Sequence, residues 1–352
     1  MTPALADIPS PVIVADPWSL RECDFPAHDC RWQQLRFILN YALLAPSSHN
    51  TQPWRFRILP GGAGVELWAD RTRALPVADP DSRELFISCG AALLNLRLAL
   101  DNFALPCHIA LFPDSDEPDL IARLTLAGAS TRHDGDRLLF QNIVWRHTSR
   151  ATFQDWTIPL HVLDHCQAQA ELERASLHFI PAGAPRDELA SLVSEASLIQ
   201  AADPLFRREL AAWVRPNWGA NEDGIPAWAL GVRGRISSSI TPWFLREFNW
   251  GAHAAKADAR KAREAPVLAV LATETDSPEA WVSAGQALER VLLRASAEGI
   301  RASYLNQPLQ VASLRPRVAP LIGGGAPQMI FRLGYAFHAK PTPRRPLDCV
   351  LG

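Results

Sequence analysis

Ala45-Pro46-Ser47-Ser48-His49-Asn50-Thr51-Gln52-Pro53-Trp54 lies between two segments of regular pattern. Upstream, Leu35, Ile38, Leu39, Ala42 and Leu43 recur on one helical face, and Pro46 stops that helix. Downstream, Trp54, Phe56 and Ile58 alternate with Arg55 and Arg57, the pattern of a half-buried strand. Pro-Ser-Ser and Asn-Thr also serve ordinary turns. Yet a loop filled with Ser, Asn and Gln, wedged between a buried helix and a strand, is poorly explained by packing. Its donors and acceptors point in many directions, which suits a flat, heteroatom-rich ligand.

The chain has 352 residues, of which 48% are apolar and 20% charged, so a substantial core can form in one large domain or two ordinary ones. A formal net charge of −2 gives no electrostatic case for nucleic acid or an anionic membrane. No apolar run reaches transmembrane length. Residues 1–20 lack a basic start and a long apolar core, so they read as an irregular, Pro-rich arm (residues 1–30) and not as a signal peptide. The cysteines Cys23, Cys30, Cys89, Cys107, Cys166 and Cys349 form no CxxC and no zinc spacing. They read as buried small residues or free thiols, which fits a cytoplasmic protein.

Outward from the opening stretch, the pattern predicts a helix over 32–45, a hairpin of strands 54–59 and 65–69 around Pro60-Gly61-Gly62-Ala63-Gly64, and a long helix over 82–103. That helix is apolar nearly all round and should be central. Strands near 107–112 and 121–126 follow. Part of this grammar returns later: a buried strand over 266–273, a helix over 277–298 and a strand over 300–305. Ser88-Cys89-Gly90-Ala91-Ala92-Leu93 aligns with Ser283-Ala284-Gly285-Gln286-Ala287-Leu288 without a gap. Small residues in register suggest two helices packing closely, although two Ala/Leu-rich helices can also agree by chance. We take the repeat as real, with halves at 31–135 and 136–352 packed like a dimer fused into one chain. The second-half counterpart of the first helix is expected over 187–202, leading into Asp203-Pro204. Residues 213–251 hold Trp213, Trp218, Trp228, Trp243 and Trp250 with weak periodicity. An irregular aromatic stretch of this length is a lid over a site, a flap over the seam, or a surface insertion anchored by its tryptophans.

Two basic constellations stand out. Arg146-His147-Thr148-Ser149-Arg150 places guanidiniums on either side of a hydroxyl pair, after a predicted helix over 136–145. Guanidinium forks suit phosphate and planar carbonyl edges, but a basic surface turn has the same composition. Near the C-terminus, a strand of Met329, Ile330, Phe331 and Leu333 is followed by Pro341-Thr342-Pro343-Arg344-Arg345-Pro346. This rigid tail is either a phosphate clamp or a solvated basic end.

Together these segments resemble the nitroreductase superfamily of FMN-binding oxidoreductases, and specifically its fused, two-repeat Acg-like branch, over about residues 30 to 350. The resemblance implies an α+β, nitroreductase-like fold: two internal repeats forming a pseudo-dimer, with two mainly antiparallel sheets flanked by helices around a central helix pair. It implies that Arg146, His147, Thr148 and Arg150 meet the phosphate, ribityl chain and pyrimidine edge of FMN. It implies that Pro46, Ser47, Ser48, Asn50 and Gln52 meet the isoalloxazine ring, and that Arg344 and Arg345 reach the phosphate. Arg150 is then the candidate catalytic cation, stabilising negative charge at N1 and the C2 carbonyl. His49 and His147 titrate near neutrality when free, but each reads better as structural than as a proton donor. The segment 304–310 is expected near flavin N5. Since the loop motif occurs only in the first half and RHTSR only in the second, one FMN per chain is expected, in a monomer. Two functions compete: hydride transfer from NAD(P)H through FMN to a nitro or quinone-like acceptor, or lid-covered flavin binding or storage without turnover. No metal is expected.

Overall fold

The computed structural model describes residues 16–127, 134–337 and 340–352. Helix α1 (Arg31–Ala42) leads through the polar loop to β1 (Trp54–Ile58) and β2 (Gly64–Ala69), then to α2 (Arg83–Asn102), β3 (Cys107–Leu111) and β4 (Leu120–Leu126). The strands form one antiparallel sheet in the order β1-β2-β4-β3. Helices α3 (Asp134–Asn142) and α4 (Leu160–Glu171) precede β5 (Ala175–Phe179). The second sheet continues with β8 (Val267–Thr273), β9 (Ile300–Tyr304) and β10 (Ala326–Tyr335), with α9 (Pro278–Ala297) between β8 and β9. Its order, β5-β8-β10-β9, is also antiparallel and repeats the first. The fold is therefore the expected α+β pseudo-dimer.

Helix starts follow local chemistry. The Ser277 hydroxyl accepts from the Ala280 amide at 3.3 Å and caps α9. At α2 the cap comes from farther upstream: Asp79 accepts from the amides of Glu84 at 3.0 Å and Leu85 at 2.9 Å. The axis of the molecule is the α2–α9 crossing. A Cβ on Gly90 would lie 2.2 Å from the Val282 carbonyl oxygen, and one on Gly285 would lie 2.0 Å from that of Ile87. The backbones touch because neither residue has a side chain. Val282 of α9 enters the first core, beside Leu93 and Leu94, and Ile87 of α2 enters the second, beside Leu288 and Val291. The gap-free alignment of the two helices is thus a contact in space.

Chain ends cross between the sheets. The Phe56 amide donates to the Val350 carbonyl at 2.7 Å, and the Gly352 amide donates to the Phe56 carbonyl at 2.8 Å. Leu347 and Val350 pack in the first core, as do Leu139, Phe140 and Ile143 around α3. The RHTSR segment adds to the edge of β9, where the Ser149 amide donates to the Ala302 carbonyl at 2.9 Å.

One expectation is corrected. The helix over 187–202 is α5 (Ala184–Ala202), and it lies between β5 and β8, where the first half has only the β1–β2 hairpin turn. The counterpart of α1 is therefore α4. The reason for the misreading is that α5 is long and ends before Pro204 as α1 ends before Pro46, while α4 is half exposed and shows a weaker face. The loop after α1 thus has as its counterpart the short turn Leu172-Glu173-Arg174. Glu173 is buried there and accepts from Arg97 of α2 at 2.8 Å and from Arg290 of α9 at 2.6 Å, with Arg290 also paired to Asp136 at 2.7 Å. A buried pair of this kind costs about 3–5 kcal/mol to break from one side. In the second half, a bolt occupies the turn that corresponds to the open polar loop.

The aromatic stretch 213–251 belongs to a longer insertion between β5 and β8. It comprises α5, α6 (Pro204–Trp213), the two-residue strands β6 (Val214–Arg215) and β7 (Ile225–Pro226), α7 (Arg235–Glu247) and α8 (Gly251–Arg263). Among the described residues no helix is long and apolar enough to cross a membrane.

Candidate functional site

The polar loop after α1, the RHTSR segment, the start of the C-terminal tail and the insertion converge on one cavity of about 560 Å³. This lies within the usual range for small-molecule sites. Ile87, Ala91 and Leu288 of the central helices form an apolar floor, and Phe206, Leu210, Ile225, Pro226, Leu230 and Trp250 of the insertion form another wall. Pro46, Ser47, Ser48, Asn50, Thr148, Arg150 and Arg344 also line it. Gln52, Arg146, His147 and Arg345 do not.

The loop is held in an unusual conformation. His49, Asn50 and Gln52 have φ of 51°, 55° and 51°, in the left-handed region. Strain of this sort persists only where surroundings fix it, and here they do. Asn50 Nδ2 donates to the carbonyls of Gly224 and Pro343, each at 3.1 Å. Gln52 is buried; its Nε2 donates to the Glu222 carbonyl at 2.8 Å, and its Oε1 accepts from the Arg345 amide at 2.9 Å. Gln52 therefore ties the loop to the insertion and the tail and does not face the cavity.

The arginines fall into different classes. Arg344 spends its guanidinium on the carbonyls of Leu43, Leu44 and Ala45 at 2.7–3.1 Å, the free acceptors at the end of α1, and on Asn50 Oδ1 at 3.0 Å. Arg345 holds the Gln52 carbonyl at 3.3 Å and that of Cys349 at 2.7 Å. Arg146 Nη2 donates to the Leu44 carbonyl at 3.0 Å, and its Nε faces the buried Glu289 carboxyl at 3.2 Å. Burial pushes the Glu289 pKa up to about 7 despite that arginine, and burial lowers Arg344 to about 9.

Arg150 differs from all of these. Among the described residues it makes no hydrogen bond and no ion pair. Arg150 keeps more than a third of its surface accessible and lines the cavity, with protein packed closely around it. Burial lowers its pKa, and the neighbouring Tyr304 partly offsets this. Among the described residues, two other wall atoms are buried without a partner, His49 Nδ1 and Gln307 Oε1. Burial, then Arg150, pushes His49 down to about 4. Burial, then Arg146, Arg301 and Arg344, pushes His147 down to about 3, where it packs edge-on against Trp18 at 4.4 Å. Both shifts favour the neutral imidazole. An uncommitted cation, unpaired polar atoms and two apolar walls fit a flat ligand that carries an anionic or carbonyl-rich edge.

Residues 143–335 match the Nitroreductase family. A Mycobacterium tuberculosis protein provisionally named an NAD(P)H nitroreductase, Rv3131, is 32% identical over 91% of this chain and 91% of its own length. The chain belongs to the nitroreductase family. A second M. tuberculosis member, acg, also provisionally named an NAD(P)H nitroreductase, is 29% identical over 89% of this chain and 94% of its own. Among solved structures, a protein from Anabaena variabilis provisionally named a nitroreductase matches over 87% of this chain and 88% of its own at 12% identity, with a TM-score of 0.48. This nitroreductase-family chain shares the duplicated, Acg-like architecture of about 350 residues.

Several wall residues were not singled out from sequence. Glu84, in the first turn of α2, is buried and lines the cavity with Ser88. Tyr304, Asn306, Gln307 and Gln310 line it too, in the segment expected near the flavin. Trp18 carried no signal. Its indole donates to the Thr342 carbonyl at 2.8 Å, and Arg344 stacks over its ring at 4.9 Å, which closes the outer side of the tail.

Proposed function

We propose that this chain is an FMN-dependent oxidoreductase of the Acg-like branch, taking a hydride from NAD(P)H and passing it to a nitro or quinone-like acceptor at one site per chain. The observation that carries this reading is Arg150, a cation that lines the seam cavity with no hydrogen-bond or ion-pair partner among the described residues. Bound FMN would supply the hydride carrier at its N5 position. The residues described here would do the rest. Arg150 would hold the pyrimidine edge and stabilise charge arriving there, with Thr148 beside it. Pro46, Ser47, Ser48 and Asn50 would bound the ring from the first-half loop. Arg146, Arg344 and Arg345 would act indirectly, by fixing the loop and tail. His147 would support the phosphate end from outside the cavity.

A second reading has its own observation. The segment 222–224 of the insertion is bonded to the first half: Gln52 to Glu222, Asn50 to Gly224, and Arg73 to Asp223, which also pairs with Arg215 at 2.9 Å. A lid held this firmly would keep nicotinamide off the ring and favour flavin binding or storage. Anaerobic rapid mixing of the flavin-loaded protein with NADH, and separately with NADPH, distinguishes the two. Bleaching of flavin absorbance within milliseconds to seconds is expected. A flavin bleached by dithionite but by neither nicotinamide would overturn the reductase reading in favour of the lid-covered one.

A further inference from the structure

Four side chains on the cavity wall form a directional hydrogen-bond chain. Gln200 Nε2 donates to Gln310 Oε1 at 2.8 Å, and Gln310 Nε2 donates to Glu84 Oε1 at 3.0 Å. From the other side, the Ser48 hydroxyl donates to Glu84 Oε2. Arg83 Nη2 approaches Glu84 Oε1 at 3.4 Å, so the carboxylate is approached by donors on both oxygens. An ionised carboxylate only accepts, and a serine hydroxyl has a single proton to give. The Ser48 hydroxyl donates its one hydrogen bond to Glu84. Ser48 therefore shows the cavity only lone pairs. Its own amide N–H is directed to Ser88 Oγ at 3.4 Å, so the backbone does not restore a donor at this point.

The wall thus offers a group that only accepts, Ser48 backed by Glu84, and a group that only donates, Arg150. Arg150 acts electrostatically on His49, the residue next to Ser48, and a single ligand edge reaching both groups would carry an N–H beside a carbonyl or anionic oxygen. An oxidised isoalloxazine has one ring N–H, at N3, set between the C2 and C4 carbonyls. We propose that Ser48, oriented by Glu84, accepts the N3–H of the bound ring and makes the site selective for an imide-type CO–NH–CO edge. Glu84 is then a positioning residue that fixes the direction of the Ser48 hydroxyl. This rests on the FMN reading above. A ring without that N–H would leave Ser48 facing a methyl group or a carbonyl oxygen, and an unpaired buried acceptor weakens binding by about 10- to 100-fold.

The test is calorimetric titration of the flavin-free full-length protein with FMN and with N3-methyl-FMN. The wild-type protein is expected to bind FMN about 10- to 100-fold more tightly than the methylated analogue. Ser48→Ala should bring the two affinities together by weakening FMN. Ser48→Thr, which keeps the hydroxyl, should retain the preference. Glu84→Gln, whose amide no longer dictates which way the hydroxyl points, should narrow it. Equal wild-type affinities for the two ligands overturn the inference, as does a preference that survives intact in Ser48→Ala. Failure of the wild-type protein to bind FMN at all is a different result and overturns the cofactor reading on which the inference stands. The wild-type comparison needs no variant to fold.

Discussion

Arg150→Ala should weaken FMN binding by about 10- to 100-fold, the weight of one or two charge-assisted hydrogen bonds, while leaving the flavin-free protein no less stable than wild type. Both halves of this result follow from one fact. Arg150 has no hydrogen bond or ion pair among the described residues, so its removal breaks none. The protein packed around it already lowers its pKa in the flavin-free fold. Arg344→Ala should behave in the opposite way. It would strip partners from the carbonyls of Leu43, Leu44 and Ala45 and from Asn50, and lower stability by about 2–4 kcal/mol before any ligand is added. Binding and urea-unfolding curves for the two variants check the pair. Equal FMN affinity in Arg150→Ala and wild type would sink the assignment of this arginine.

The second large effect concerns the helix crossing. In an exposed helix, replacing glycine by alanine gains up to about 1 kcal/mol. At Gly285 the sign should reverse, because the added methyl would sit 2.0 Å from the Ile87 carbonyl oxygen and 2.9 Å from Gly90 Cα. Backbone cannot move aside as a side chain can, so the helices must separate and both cores must loosen. Gly285→Ala should cost about 1–3 kcal/mol, and Gly285→Val more. The site should suffer with the fold, since Ile87, Ala91 and Leu288 on these helices form its floor. A urea midpoint unchanged in Gly285→Ala would contradict the close crossing.

These variants also mark what sequence could and could not give. The crossing was legible because Gly90 and Gly285 stand in register within two long apolar helices. The first-half loop was legible because polar residues in such a setting have few structural uses. The division of labour among Arg146, Arg150, Arg344 and Arg345 was not. All four carry the same charge and donors, and which of them is spent on protein carbonyls depends on where the end of α1 and the tail meet. Gln52 is a similar case: both ends of its side-chain amide are bonded, to Glu222 and to Arg345, each distant in sequence. The counterpart of α1 was misplaced because local pattern favours the longer α5, whereas strand order assigns α4. Glu84 was hidden because an acidic residue in the first turn of a helix already has an electrostatic explanation, and its second role needs the loop beside it.

The central claim is that the two halves build one flavin site between them, the open loop of the first half facing RHTSR of the second, while a Glu173 ion-pair bolt occupies the corresponding turn. Titration of the flavin-free protein with FMN, with chain concentration fixed by amino-acid analysis, tests it most directly. The account predicts saturation at one FMN per chain. Saturation at two would mean that the bolted turn does not close a second site, and no saturable binding would mean that the seam cavity serves another ligand.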